Sequence, residues 1–70
     1  MLRPTEPLSP RERVAWESML AGEKLPETAK RIGVSISGAR YLRGRVLDKF
    51  GADDLVRLLV MVIADLRKRD

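Results

Sequence analysis

One fifteen-residue segment near the middle of the chain concentrates side chains that can bind nucleic acid. It spans residues 36–50 and contains Arg40, Tyr41, Arg43, Arg45 and Lys49. Its only acidic residue is Asp48, so the segment carries +3 of the formal net charge of +4. Arginine can bind guanine through two hydrogen bonds or hold a phosphate. Tyrosine can contact a phosphate, a base edge or a thymine methyl. These residue types predict contacts with nucleic acid.

The sequence contains few residues of the types that carry out catalysis or bind metal ions. The 70 residues include no His and no Cys, which excludes a Ser-His-Asp triad, a thiol nucleophile, a disulfide framework and a Cys/His zinc site. No tight Asp/Glu cluster indicates a carboxylate metal site. A chain of this length forms one domain and leaves little room for an enzyme pocket. We therefore expect a small binding module with no enzymatic activity, metal or cofactor.

No segment has the pattern of a signal peptide or a membrane span. Residues 1–7 lack an apolar core. The longest apolar stretch, residues 58–64, is far shorter than the about 20 residues needed to cross a bilayer. We expect a soluble, cytoplasmic protein with no membrane partner.

Composition and the positions of Pro and Gly predict an all-α protein. Residues 9–12 read Ser-Pro-Arg-Glu, a capping box that begins a helix of about residues 10–21. Pro26 begins a second helix that stops at Gly33, and Ser35 caps a third over about 36–50. A fourth helix is expected over about 53–68. Residues 1–8, with two prolines and no periodicity, are expected to form a flexible arm ahead of a compact four-helix domain over 9–70.

The middle of the chain has the spacing of a helix-turn-helix. Ala29 precedes Gly33 by four residues, and a small residue there lets two helices approach closely. Gly33 can supply the positive φ that a tight turn near 33–35 requires. The third helix is expected to bury a stripe with helical spacing: Ala39, Leu42, Val46 and Phe50.

The opposite face of the third helix is predicted to face solvent. It would carry Ser37, Tyr41, Gly44 and Asp48, with Arg40 and Arg45 beside it and Arg43 toward the core. An exposed basic helix after a tight turn fits the DNA major groove. Ser35 and Ser37, near its N-terminus, can donate hydrogen bonds to phosphate beside free backbone N–H groups.

These motifs resemble those of the LuxR-type (GerE-type) DNA-binding domain of bacterial transcription regulators. Residues 8–13, LSPRER, are similar to the family's opening LTPRER. Residues 25–35 resemble its S-x-x-E-I-A-x-x-L-G-I-S stretch, and residues 47–51, LDKFG, resemble the L-x-K-L-G that closes the recognition helix. The resemblance covers roughly residues 8–66. It implies four helices, a recognition helix in the major groove and dimerisation through the fourth helix.

The recognition helix departs from that family at several positions. Where the family usually has T-V-K-x-H, residues 38–42 are GARYL. By resemblance, Arg40 keeps the base-reading cation, whereas Gly38 lacks a hydroxyl for phosphate and Leu42 replaces the histidine. Gly44 falls where some members carry another base-contacting lysine. Region four of alternative sigma factors is a second resemblance, around residues 37–40, but the long apolar fourth helix favours the LuxR type.

The fourth predicted helix has more apolar residues than one buried face needs. Only Arg57 is polar between residues 55 and 64. A core-facing stripe would comprise Leu55, Leu58 or Leu59, Val62 and Leu66. Four further apolar residues fall outside this stripe: Val56, Val60, Met61 and Ile63. A helix that is apolar on more than one side is buried on more than one side. We therefore predict a homodimer interface formed by Leu55, Val56, Leu59, Val60, Val62, Ile63 and Leu66.

Two functions are consistent with these patterns. The first is a sequence-specific transcriptional regulator that binds double-stranded DNA as a homodimer, with Arg40 as the base contact and Tyr41, Arg43 and Arg45 in support. The alternative is a protein-interaction module with little DNA binding, which acts on a transcription regulator or RNA polymerase through its apolar C-terminal helix. Charges on an amphipathic helix are commonly just a solvated face, so the basic segment alone does not decide between the two.

Overall fold

The structure, a computed structural model, describes residues 2–68 and contains four α-helices. These are α1 (Pro10–Leu20), α2 (Leu25–Ile32), α3 (Ile36–Phe50) and α4 (Leu55–Lys68). No strand occurs within residues 2–68, and the predicted all-α, four-helix architecture is confirmed. Met1 of the predicted arm, and Arg69 and Asp70 of the predicted domain, lie outside the described residues.

The predicted capping box begins α1. Ser9 Oγ accepts a hydrogen bond from the Glu12 backbone N–H at 3.2 Å, and Glu12 Oε1 accepts one from the Ser9 N–H at 2.8 Å. Pro10 lies in the first turn, where a missing N–H leaves no donor unpaired. The sequence thus fixes this helix start through local hydrogen bonds alone.

A tight turn of residues 33–35 joins α2 to α3, as predicted. Gly33 has a φ of 84°, in the left-handed region. The N–H groups of Gly33 and Val34 both donate to the Ala29 carbonyl, at 2.8 and 3.0 Å, and so end α2. Ser35 Oγ accepts from the Gly38 N–H at 3.0 Å and caps α3.

Two helix starts differ from the predicted positions. Helix α2 begins at Leu25, one residue before the predicted Pro26. Helix α4 begins at Leu55 rather than near residue 53. Asp54 lies outside α4 because its carboxylate accepts from the Arg57 N–H at 2.8 Å, which is the geometry of a helix cap.

Small side chains lie where the first three helices meet. Ala15, Ala29 and Ala39 are all buried, which allows the helix backbones to approach closely. On α3 the predicted stripe is confirmed, because Ala39, Val46 and Phe50 are buried and Leu42 packs on the core. The Phe50 ring also contacts Trp16 of α1, with ring centroids 4.6 Å apart. The core therefore fixes which face of α3 remains outside.

Helix α4 is attached to this core by few residues. Leu58 is its one buried residue, and Leu55 and Met61 pack half-buried beside it. The predicted core stripe was right at Leu55 and Leu58 and wrong at Leu66, which is 52% exposed. Met61 lies one turn after Leu58 and takes the inward position instead. The core is too small to cover the second half of α4, so its apolar residues remain outside.

Candidate nucleic-acid interface

The outer face of α3 is formed by its first two turns. Tyr41 is 66% exposed and Ile36 is 48% exposed, and Ser37 and Arg40 are also exposed. Since Ala39 and Val46 face the core, these side chains point away from it. The predicted solvent-facing positions Ser37, Arg40 and Tyr41 therefore share one accessible surface. Ser35, at the head of the same helix, is exposed as well.

Two arginines of α3 have free guanidinium groups. Within residues 2–68, neither Arg40 nor Arg43 forms a hydrogen bond or ion pair with its side chain. Arg40 is exposed and Arg43 is half-buried. A guanidinium presents five N–H donors, so both groups remain available to bind an external anion or base edge.

Lys49 is engaged inside the protein. Its Nζ donates to Glu12 Oε1 at 2.6 Å and to the Pro7 carbonyl at 3.0 Å, and its side chain is only 11% exposed. The predicted DNA contact at Lys49 is therefore not part of the accessible surface. The sequence shows this charge but not its partner, which comes from another helix 37 residues away.

Arg45 occupies an intermediate position. Its Nε lies 3.6 Å from Glu12 Oε2, and its side chain is 41% exposed. At that distance the pair is a loose ion pair rather than a strong hydrogen bond. Arg45 can reach solvent, but it is less available to a ligand than Arg40.

Glu12 joins the start of α1 to the last turns of α3. Its side chain is nearly buried between Ser9, Arg45 and Lys49. The hydrogen bond from Lys49 chiefly lowers the pKa of the Glu12 carboxyl from 4.5 to about 2, and the Ser9 N–H adds to this, although burial acts in the opposite direction. The carboxylate stays ionised and holds α3 against α1. The capping pattern predicts the contact with Ser9 but gives no signal for Lys49.

Several residues of the segment that was predicted to form a flexible arm contact the rest of the protein. The Thr5 N–H and Oγ1 both donate to the Lys49 carbonyl, at 2.7 and 3.1 Å. Leu2 and Leu8 pack on the core. The last carbonyls of a helix have no partner within the helix, so the end of α3 offers acceptors to a passing segment.

The two glycines within α3 have different surroundings. A Cβ at Gly38 would lie 3.3 Å from Ser35 Oγ and from Val34 Cβ, so the tight turn before α3 leaves little room for a side chain there. A Cβ at Gly44 would meet nothing within 4 Å. Gly44 leaves the helix backbone uncovered one turn after Arg40 and Tyr41. Packing within the chain explains a glycine at position 38 but not at position 44.

A buried polar cluster, which no pattern in the sequence predicts, sets the position of α2. The hydroxyls of Ser18 and Thr28 are 2.6 Å apart and fully buried. The Ser18 hydroxyl also lies 2.6 Å from Glu23 Oε1, and Glu23 Oε2 binds Arg31 Nη2 at 3.0 Å. These contacts hold α2 against α1, and they thereby fix the position of the turn that leads into α3. A Ser and a Thr ten residues apart give no recognisable signal in the sequence.

Helix α4 carries the second exposed surface. We call it the α4 face and define it by Val56, Leu59, Val60, Ile63 and Leu66, all of them exposed. Val56, at its start, is 72% exposed. The other two predicted interface residues, Leu55 and Val62, are half-buried.

Residues 2–68 contain no group of His, Cys, Asp and Glu side chains that could hold a metal ion. No helix in this part of the chain is both long enough and apolar enough to cross a membrane.

In comparisons with known protein families, curated proteins and solved structures, no match to this chain is found. The resemblance to the LuxR-type domain therefore stays a prediction, carried by the motifs in the sequence.

Proposed function

We propose that this chain is a DNA-binding transcriptional regulator of LuxR type that inserts α3 into the major groove. The observation that supports this most directly is the free guanidinium of Arg40 on the exposed face of α3, directly after the turn at Gly33. Helices presented in this way place their N-terminal residues on base edges.

Each residue of the exposed face has a role in this proposal. Arg40 reads a guanine through two hydrogen bonds, and Arg43 neutralises a phosphate. Tyr41 contacts the backbone or a thymine methyl, and the hydroxyls of Ser35 and Ser37 donate to phosphate. The bare backbone at Gly44 lets the DNA approach α3 closely.

The proposal includes a homodimer formed through the α4 face. Monomeric proteins rarely expose a contiguous apolar surface of this kind, and a second copy would cover it. A two-fold dimer presents two copies of α3 to half-sites about one turn of DNA apart.

Salt-dependent DNA affinity tests the proposal. Fluorescence anisotropy of a labelled mixed-sequence duplex would be followed between 50 and 200 mM salt. A protein that neutralises about six to ten phosphates loses about 10³–10⁵ in affinity over this range. A steep linear dependence of log affinity on log salt supports the proposal, and absence of binding at the lowest salt contradicts it.

The exposed α4 face also favours a second function. In this alternative the chain is a protein-interaction module that modulates a transcription regulator or RNA polymerase through α4. The arginines of α3 are then hydrated surface charges with no role in binding. It predicts negligible DNA affinity at low salt. It also predicts that an acidic substitution at Ile63 abolishes binding to the protein partner, whereas Arg40→Ala leaves that binding unchanged.

A further inference from the structure

A free carboxylate lies on the exposed face of α3, near its C-terminal end. Asp48 is exposed, and within residues 2–68 its carboxylate forms no hydrogen bond or ion pair. The residues four positions before and after it are Gly44 and Ala52, which offer no charged partner. Arg45, three positions before it, is directed toward Glu12 instead. Contacts among the described residues therefore do not explain this carboxylate.

The position of Asp48 is also unfavourable for the helix itself. It lies in the last turn of α3, which ends at Phe50. A negative charge near the C-terminus of a helix opposes the helix dipole, and aspartate is a poor helix former. The stability of α3 therefore gives no reason for an acidic residue at this position.

Helical geometry places Asp48 on a line of short side chains. At about 100° per residue, Ser37, Gly44 and Asp48 fall within about 40° of one another around α3, opposite its buried stripe. The outer face of α3 is thus low along its centre, with longer side chains on both sides. These are Arg40 and Arg43 on one side, and Tyr41 and Arg45 on the other.

This arrangement matches the cross-section of the DNA major groove. The groove has the base edges at its floor and the phosphates of the two strands along its borders. When α3 lies in it, the outermost side chains, Arg43 and Arg45, lie toward opposite strands, and the short side chains along the centre face the bases. A carboxylate at the centre is kept away from the phosphates that would repel it. It faces the hydrogen-bond donors of the base pairs instead.

The donor that best suits this carboxylate is the N4 amino group of cytosine. In the major groove only cytosine and adenine present an amino donor, whereas guanine and thymine present acceptors that repel a carboxylate. The adenine amino group lies between two acceptors, its own N7 and the thymine O4. The cytosine amino group has an acceptor, guanine O6, on one side only, so a carboxylate meets less repulsion there.

We propose that Asp48 is a specificity-determining residue whose carboxylate accepts a hydrogen bond from a cytosine N4 amino group in the major groove. The inference rests on the proposed DNA-binding function and adds a second base contact to that of Arg40. The two residues are eight positions apart, or about 12 Å along the helix axis. This spacing sets the cytosine about three to four base pairs from the guanine that Arg40 reads.

Base preference measured with matched duplexes tests the inference. Sites would be selected from random duplexes with the parent and with Asp48→Ala, and the position where the two selected sequences differ would be varied over the four bases. By fluorescence anisotropy, the parent should prefer cytosine there by about 5- to 150-fold, the range for one mismatched base pair. Asp48→Ala should bind the four duplexes about equally, while it keeps the preference for guanine at the position read by Arg40.

Asp48→Asn gives a sharper test, because it should change which base is preferred. An asparagine amide pairs with both N6 and N7 of adenine. The preferred base at this position should therefore change from cytosine to adenine, a result that the loss of a structural role would not produce. Asp53→Ala is the matched control, since Asp53 is exposed and lies outside α3. It removes the same charge and should change the affinities for all four duplexes by the same factor.

Three results would overturn the inference in distinguishable ways. A parent that binds no duplex at the lowest salt removes the DNA-binding function and this contact with it. DNA binding with an unchanged base preference in Asp48→Ala means that Asp48 is only a surface charge, while the DNA-binding function stands. Equally reduced affinity of Asp48→Ala for every duplex, with lower stability in urea, means that Asp48 supports the fold instead.

Discussion

At the scale of single residues, the arginines and lysine of α3 are not equivalent. Among residues 2–68, Arg40 and Arg43 have no partner for their guanidinium groups, whereas Lys49 binds Glu12 at 2.6 Å. A buried ion pair of this kind is costly to break, so Lys49 is not available to an external phosphate. The segment carries four basic residues, but only part of that charge can act in binding.

Arg40→Ala is expected to weaken operator binding by about 1–3 kcal/mol and to relax the preference for one base. The physical reason is the loss of a bidentate contact to guanine. Anisotropy with a duplex selected from random sequence would measure the change. Arg57→Ala is the matched control, since Arg57 is exposed and lies on α4. Equal affinities for the two variants would contradict the role of Arg40.

Gly44→Ala is expected to stabilise the fold by up to about 1 kcal/mol and to weaken DNA binding. An alanine is the better helix former, and its Cβ meets nothing within 4 Å. The same Cβ would stand between α3 and the DNA. Urea unfolding and anisotropy measure the two effects. Gly51→Ala is the contrasting variant, because Gly51 has a φ of 70° and alanine is strained there. A gain in stability with unchanged affinity would mean that DNA does not approach Gly44.

At the scale of the helices, a few buried polar contacts hold α1, α2 and α3 in position. Glu12 ties α1 to α3, and the Ser18–Thr28 pair ties α1 to α2. Hydrogen bonds have a preferred direction, so they restrict the arrangement of the helices beyond what apolar packing does. These contacts therefore act together with the core in setting where the exposed face of α3 points.

Glu12→Gln is expected to destabilise the protein by about 3 kcal/mol at pH 7, because Lys49 loses its charged partner in a nearly buried site. The folded-state pKa of Glu12 is about 2, below its ordinary value of 4.5. Its contribution is thus full above about pH 4.5 and is lost as the pH falls toward 2.

Urea unfolding of the parent and Glu12→Gln between pH 7 and pH 2 would measure this difference. The two free energies of unfolding should converge as the pH falls. Glu27→Gln is the matched control, because Glu27 is exposed and its carboxylate accepts from the Lys24 N–H at the start of α2, with no other partner among residues 2–68. A constant difference between parent and Glu12→Gln would show that the ionised carboxylate does not supply the stability.

At the scale of the whole molecule, the short chain cannot cover its last helix. Domains of about 60–70 residues bury a smaller share of their surface than larger ones do. Leu58 is the one buried residue of α4, and the α4 face is left to solvent in the single chain. Association with a second copy would remove this apolar surface from water.

Ile63→Asp is expected to give a folded monomer that loses the advantage of a two-half-site duplex. Ile63 is 53% exposed, so the change should leave the fold intact while it places a charge in the proposed interface. Sedimentation would measure the oligomeric state, and anisotropy would compare duplexes with one and two half-sites. Ser37→Asp, on α3, should have the opposite pattern, with the dimer kept and DNA affinity reduced. If the parent protein binds duplexes with one and two half-sites equally well, it does not bind DNA as a dimer.

Local patterns in the sequence determined the four helices and several of their ends. The capping box at Ser9, the turn glycine at position 33 and the cap at Ser35 act on neighbouring backbone groups, so their effects can be read without a fold. Helical periodicity also determined the buried face of α3, because any core requires one apolar stripe. The outer positions of Arg40 and Tyr41 follow from that stripe.

Only the tertiary structure decided which charged residues pair with one another within the protein and which apolar residues pack on the core. It pairs Lys49 with Glu12, binds Thr5 to the end of α3, and packs Met61 on the core while Leu66 stays outside. These outcomes depend on which helices meet and on how far the core extends. Contacts between residues distant in sequence are set by the packing of whole elements, and no local spacing encodes them.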